Sequence, residues 1–176
     1  MRILEFIGYI LFLLAPAILG GVLNMVFMKT HVLKSWRIPI DAGKTLKDGM
    51  RIFGDNKTWK GFFGMIVFTA FSAWIFWNNT FQYSYFYGAW LGFAYVLFEL
   101  PNSFIKRRLK IESGKNGGIV QTFFDQADSA IGYTLFLAVV YPLTWYEIAC
   151  MIVIATVTHY VFNVLLFFAK LRGQKG

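Results

Sequence analysis

The sequence predicts an all-α integral membrane protein of about five transmembrane helices, with two functional loops on the cytoplasmic side. Three observations carry this. Only 15% of the 176 residues are charged and 57% are hydrophobic, whereas ordinary soluble domains carry roughly a quarter charged residues. Phe and Trp recur along apolar runs long enough to cross about 30 Å of hydrocarbon at about 1.5 Å per helical residue. The charges collect in two polar loops between such runs.

The runs fall at about 3–28, 61–77, 83–104, 125–143 and 146–169, within a single transmembrane domain over 1–176. The first extends well beyond the 7–15 residue core of a secretory signal and ends in Lys29-Thr-His31, so it is expected to be a true span. Lys29, Lys34, Arg37, Lys44, Lys47, Arg51, Lys57 and Lys60 occupy the first polar loop and its edges. Lys106, Arg107, Arg108, Lys110 and Lys115 occupy the second, and Lys170, Arg172 and Lys175 form a basic tail. The short connections at 78–82 and near Pro142 have no Lys or Arg. The positive-inside rule then places the polar loops in the cytoplasm of a multi-pass cell-membrane protein, with the amino terminus outside.

The formal charge of +8 is interleaved with spans, so anionic headgroups and phosphates are the expected partners and nucleic acid is not. The lone cysteine, Cys150, lies in the last run and excludes a disulfide framework or a CxxC metal knuckle.

The first loop ends Gly54-Asp55-Asn56-Lys57-Thr58-Trp59-Lys60-Gly61, directly before a span. Backbone N–H groups at a helix start, flanked by two lysines, favour an anion such as a phosphate. Attraction of the lysines to the membrane surface is the competing reading. Trp59 suits interfacial anchoring or stacking on a base. No Walker loop is present, because Ile38 stands where its first glycine is needed.

The third run ends Glu99-Leu-Pro-Asn102-Ser103-Phe-Ile-Lys106-Arg107-Arg108. A carboxylate at the edge of the apolar zone is a functional candidate by default, with a salt bridge to a nearby cation as the alternative. Asn102 and Ser103 follow Glu99 at i+3 and i+4 and share its helical face, although Pro101 threatens a kink. At the start of the fourth run, Asp125 and Asp128 also lie three residues apart on one face. Paired carboxylates at that depth suit Mg²⁺, which takes one or two of them and completes its shell with water and substrate phosphates. A Thr122–Asp125 capping box would account for Asp125 but not for Asp128, one turn deeper. Acids beside loops rich in Lys, Arg, Gly and Thr are the layout of phosphoryl-type transfer, in which metal and cations neutralise charge.

These residues resemble the CDP-archaeol synthases, distant relatives of the phosphatidate cytidylyltransferases. The resemblance runs through Asp41-Ala-Gly-Lys-Thr-Leu-Lys-Asp-Gly49, Arg51-Ile-Phe-Gly-Asp-Asn-Lys-Thr-Trp-Lys-Gly61, Ser103-Phe-Ile-Lys-Arg-Arg108 and Phe124-Asp-Gln-Ala-Asp128, in order. It implies a CTP:lipid-phosphate cytidylyltransferase with Mg²⁺ held by Asp125 and Asp128, and with Lys57 beside them as a catalytic residue. It implies that Lys57, Lys60 and Lys44 hold the triphosphate. Asp55, Asn56, Thr58, Glu99, Asn102, Ser103, Lys106, Arg107 and Arg108 are the further expected substrate contacts. The Glu99-Leu-Pro-Asn102 stretch departs from the family's usual Asp-Leu-Leu-Gly-like pattern, which leaves the acceptor open between ether, diacyl and other lipid phosphates. Oligomeric state is not indicated. A transporter and a non-catalytic lipid-binding protein are the alternatives. Intramembrane acids fit the former, but paired repeats or broken helices do not accompany them.

Overall fold

The computed structural model describes residues 3–115 and 117–170; Arg172 and Lys175 of the tail lie outside them. Five long helices follow one another: α1 (Ile3–Lys29), α2 (Trp59–Trp77), α3 (Ser84–Arg108), α4 (Ile119–Val140) and α5 (Trp145–Phe168). Each packs on the next, and α5 returns to α1. The chain therefore runs back and forth, with α1, α3 and α5 ending where α2 and α4 begin. The polar loops and the α5 terminus share that end.

The apolar core fills the opposite half, around Ile10 and Leu13 of α1, Trp77 of α2, Leu91 of α3, Tyr133 and Leu137 of α4 and Met151 of α5. Two aromatic tips buried there are satisfied: Trp77 Nε1 donates to the Phe12 carbonyl at 3.1 Å and Tyr133 OH to the Leu13 carbonyl at 2.8 Å. Large apolar side chains such as Trp74 and Val139 project outward, as a lipid-facing surface requires. Glycine allows the closest helix approach. A Cβ on Gly92 would lie 2.9 Å from both the Ile66 Cα and the Met65 carbonyl oxygen, so α2 and α3 meet there backbone to backbone.

α1, α2 and α5 are each long and apolar enough to cross a membrane. α3 and α4, at 25 and 22 residues, have the length, but polar residues at their site-facing ends reduce their apolar share. The helices also extend beyond the hydrophobic runs. α2 starts at Trp59 because Thr58 caps it, its hydroxyl accepting from Gly61 N at 3.3 Å. α3 continues through Pro101 to Arg108, where Lys106, Arg107 and Arg108 complement the helix dipole. α4 starts at Ile119 with Gly118 as N-cap, so Thr122 and Asp125 lie inside the helix and form no capping box. Hydropathy marks where apolar character begins, whereas the backbone hydrogen-bond ladder continues past it.

Candidate active site

The first loop is folded around one carboxylate. The buried Asp41 side chain accepts from Gly43 N at 3.1 Å and from Phe53 N and Gly54 N at 3.0 Å each, and it pairs with Arg51. Burial pushes this carboxyl up, but the Arg51 guanidinium and the three N–H donors outweigh it and hold it well below the usual carboxylate range. Gly54, at φ +100°, lets the loop pass under the second one; a Cβ there would come 3.1 Å from Ser113 Oγ. Asn56 N donates to the same hydroxyl at 3.3 Å. Arg108 joins the loops further out, pairing with Asp48 at 2.7 Å and donating to the Met50 and Arg51 carbonyls.

Beneath this double roof lies an open cavity bounded by α1 to α5 and both loops. Lys57, Asn56 and Thr58 reach its wall from the first loop, Glu99, Asn102, Ser103, Lys106 and Arg107 from α3, and Asp125 and Asp128 from α4. On α3, Glu99, Asn102 and Lys106 follow at i, i+3 and i+7, and on α4 Gln121, Asp125 and Asp128 follow at i, i+4 and i+7, so two polar stripes face each other. The Asn102 amide donates to Asp125 Oδ1 and to Asp128 Oδ2, each at 2.7 Å. Lys106 Nζ lies 2.6 Å from the other Asp125 oxygen. Gln121 fixes the amide, donating to Asn102 Oδ1 at 2.7 Å.

Lys57 pairs with Glu99 across the cavity. The salt-bridge alternative for Glu99 is therefore realised, inside the site. Burial would lower the Lys57 ammonium, but Glu99, with Asp128 and Asp125 behind it, holds it above its ordinary value. Arg107 is different. It is only 5% exposed, it lines the cavity, and its Nε and Nη1 have no hydrogen-bond partner.

Several expected contacts are elsewhere. Lys60 is buried under the loop, donating to the Thr30 carbonyl at 2.9 Å with its ammonium 4.3 Å from the Phe27 ring centre; it does not line the cavity. Lys44 is exposed on the first loop, and Asp55 turns outward to Arg51 at 2.5 Å. Arg108 serves the loop junction. Trp59 stacks on Phe63 at 5.7 Å on the outer face, which is the anchoring geometry. The expected free N–H groups are also occupied: those of Lys57, Trp59 and Gly61 donate to Gly54, Ile38 and Thr58.

The structure adds residues that sequence reasoning missed: Ser113 and Lys115 from the second loop, Tyr95 from α3, and His159 and Asn163 from α5. The signal for the last two was an i, i+4 polar pair in an otherwise apolar span. Among the described residues no three of His, Cys, Asp and Glu cluster as a metal group. Asp125 and Asp128, meeting at one amide nitrogen, nevertheless fit Mg²⁺, a hard cation that keeps water and substrate oxygens for the rest of its shell.

The CarS-like CDP-archaeol synthase family model matches residues 3–173. A CDP-archaeol synthase of Methanoculleus marisnigri is 33% identical over 76% of this chain and 87% of its own length. One of Pyrococcus furiosus is 32% identical over 77% and 81%, and one of Thermofilum pendens 30% identical over 89% and 75%. A solved structure of an intramembrane enzyme for archaeal membrane lipids biosynthesis shares the fold, with a TM-score of 0.68 at 23% identity over 88% of this chain and 92% of that one.

Proposed function

We propose, for a chain that belongs to the CDP-archaeol synthase family, that its cavity transfers the cytidylyl group of CTP to a membrane lipid phosphate. The observation that carries this reading is the convergence in one cavity of Asp125 and Asp128 with Lys57, Lys106 and Arg107, two of whose nitrogens have no hydrogen-bond partner. A lipid-phosphate oxygen attacks the α-phosphorus, the bond from that phosphorus to the bridging oxygen of the β-phosphate breaks, and pyrophosphate leaves with the electron pair. The nucleophile is already ionised near pH 7, so no side chain is needed as a general base.

Lys57 and Arg107 neutralise the triphosphate, Arg107 with a planar fork suited to two phosphate oxygens. Lys106 stands beside Asp125, where the acceptor phosphate and the nucleotide meet. Asn102, oriented by Gln121, sets the spacing of the two aspartates. Mg²⁺ held by Asp125 and Asp128 would supply charge neutralisation at the phosphates. The Lys and Arg bias of the loops supports a site facing the cytoplasm, into which α3 and α4 turn their polar ends.

The test is incubation of purified protein with CTP, Mg²⁺ and a panel of ether and diacyl lipid phosphates, with extraction of CDP-lipid. Product that requires both CTP and a lipid phosphate is expected. Absence of product with every acceptor sinks the reading, and leaves a non-catalytic lipid-binding protein. Loss of product on chelation, restored by Mg²⁺, is expected; activity indifferent to chelation removes the metal from Asp125 and Asp128.

A further inference from the structure

A second, smaller cavity lies between α1, α4 and α5. Its wall includes Leu14, Ile18 and Val22 of α1, Ala130 of α4, and Phe162 and Leu166 of α5, and no Asp, Glu, Lys or Arg lines it. It adjoins the first. Gly21, Met25, Tyr95, His159 and Asn163 belong to both walls, so the cationic cavity and the apolar one are neighbours across these side chains. α1 and α5 pack on each other far less than do the helices adjacent in sequence, which makes their seam the thin side of the apolar cavity.

The boundary itself is polar and neutral. Tyr95 OH lies 3.2 Å from His159 Nε2, and His159 Nδ1 lies 3.2 Å from the Gln126 carbonyl. Asn163 donates to Gln126 Oε1 at 2.5 Å. Just inside the apolar cavity, the fully buried Ser129 hydroxyl has no hydrogen-bond partner. Close-packed interiors hold few voids larger than a water molecule, and burying an unsatisfied hydroxyl beside one is costly. The sequence of surfaces, from cationic through neutral polar to apolar, is that of a phosphate, its linking oxygens and a hydrocarbon chain.

We propose that the cavity between α1, α4 and α5 takes one hydrocarbon chain of the lipid-phosphate acceptor, admitted at the α1/α5 seam, while the oxygens linking chain to phosphate pass Tyr95, His159 and Asn163. The proposal rests on the reading of the larger cavity as the phosphate-handling site, and it adds where the lipid lies.

The probe is a lipid phosphate carrying a diazirine midway along one chain, photolysed with the membrane-embedded protein and mapped by peptide mass spectrometry. Labelling needs neither CTP nor turnover. Adducts are expected on the inward faces of α1 and α5, around Ile18, Val22, Phe162 and Leu166. Gly21 supplies the block, because nothing lies within 4 Å of where its Cβ would stand. Gly21→Phe should lower labelling of those residues about tenfold, roughly one decade in occupancy, and Gly21→Leu serves if the larger variant fails to fold. Adducts on outward faces such as those of Trp74 and Val139, no adducts, or an unchanged map in a folded Gly21 variant overturn the proposal. An inward map without nucleotidyl transfer supports the chain site while removing the enzymatic reading; turnover with an outward map does the reverse.

Discussion

Replacing Arg107 by methionine should make the protein more stable and much less active. The guanidinium is 5% exposed, and two of its three nitrogens have no hydrogen-bond partner. An uncompensated buried cation costs several kcal/mol, and exchanging buried ionic groups for an apolar side chain of similar volume is often neutral or stabilising by about 1–4 kcal/mol. For a chain of this length each kcal/mol is worth roughly 2–4 °C in Tm, so Arg107→Met should raise the unliganded Tm by several degrees. The same change removes a donor aimed at developing phosphate charge, a loss of about 10²–10³ in kcat/KM. Arg107→Lys keeps the charge without the fork and should fall between the two in activity. Thermal unfolding without nucleotide, alongside kcat/KM for CTP, measures both. If Arg107→Met lowers Tm and leaves kcat/KM intact, the guanidinium is structural and the phosphate assignment is wrong.

The two lysines of the Lys57-Thr-Trp-Lys60 repeat should separate. Lys57→Met is expected to lower kcat/KM by about 10² or more, as loss of a phosphate-neutralising cation does, whereas Lys60→Met should change thermal unfolding with little effect on KM for CTP; equal kinetic losses would return Lys60 to the site. Asp41→Asn removes the buried acceptor of a partly exposed pair and should destabilise the first loop by about 1–3 kcal/mol, read as faster proteolysis there. Because the folded Asp41 carboxyl titrates below its ordinary value near 3.9, its contribution is complete above about pH 4 and is lost as pH falls through the lower folded value. Wild type and Asp41→Asn should therefore differ fully at pH 7 and converge only in strong acid; convergence near neutral pH contradicts the loop assignment. Gly92→Leu should prevent α2 and α3 from packing, since even a Cβ at Gly92 meets backbone at 2.9 Å, and a variant with unchanged Tm would show that the helices are not so close.

The five helices and their order were legible because each contains an apolar run that only a bilayer or a core explains. Asp125, Asp128, Asn102 and Lys106 were legible for a second reason: periodicity on a helix fixes which residues share a face. The loops offered no such periodicity. Lys57 and Lys60 differ only in that Thr58 caps α2 between them, which points one ammonium into the cavity and the other under Thr30. Asp41 gave no signal as an organiser, since its donors Gly43, Phe53 and Gly54 are brought round it by turns. His159 and Asn163 were visible as polar residues in an apolar helix, but only the packing of α5 on α4 brings them to Gln126 and the cavity wall. Arg107, Arg108 and Lys106 read as one basic run, and the helix turns them in three directions: into the cavity, to Asp48 and to Asp125.

Cytidylyl transfer at Asp125 and Asp128 is followed with two labels of CTP in one reaction, with wild type and Asp128→Asn run side by side. α-Phosphate label should enter the lipid extract and γ-phosphate label should appear only in aqueous pyrophosphate, with both absent in a folded Asp128→Asn protein. Label from the γ-phosphate in the lipid, or undiminished transfer by Asp128→Asn, would contradict it.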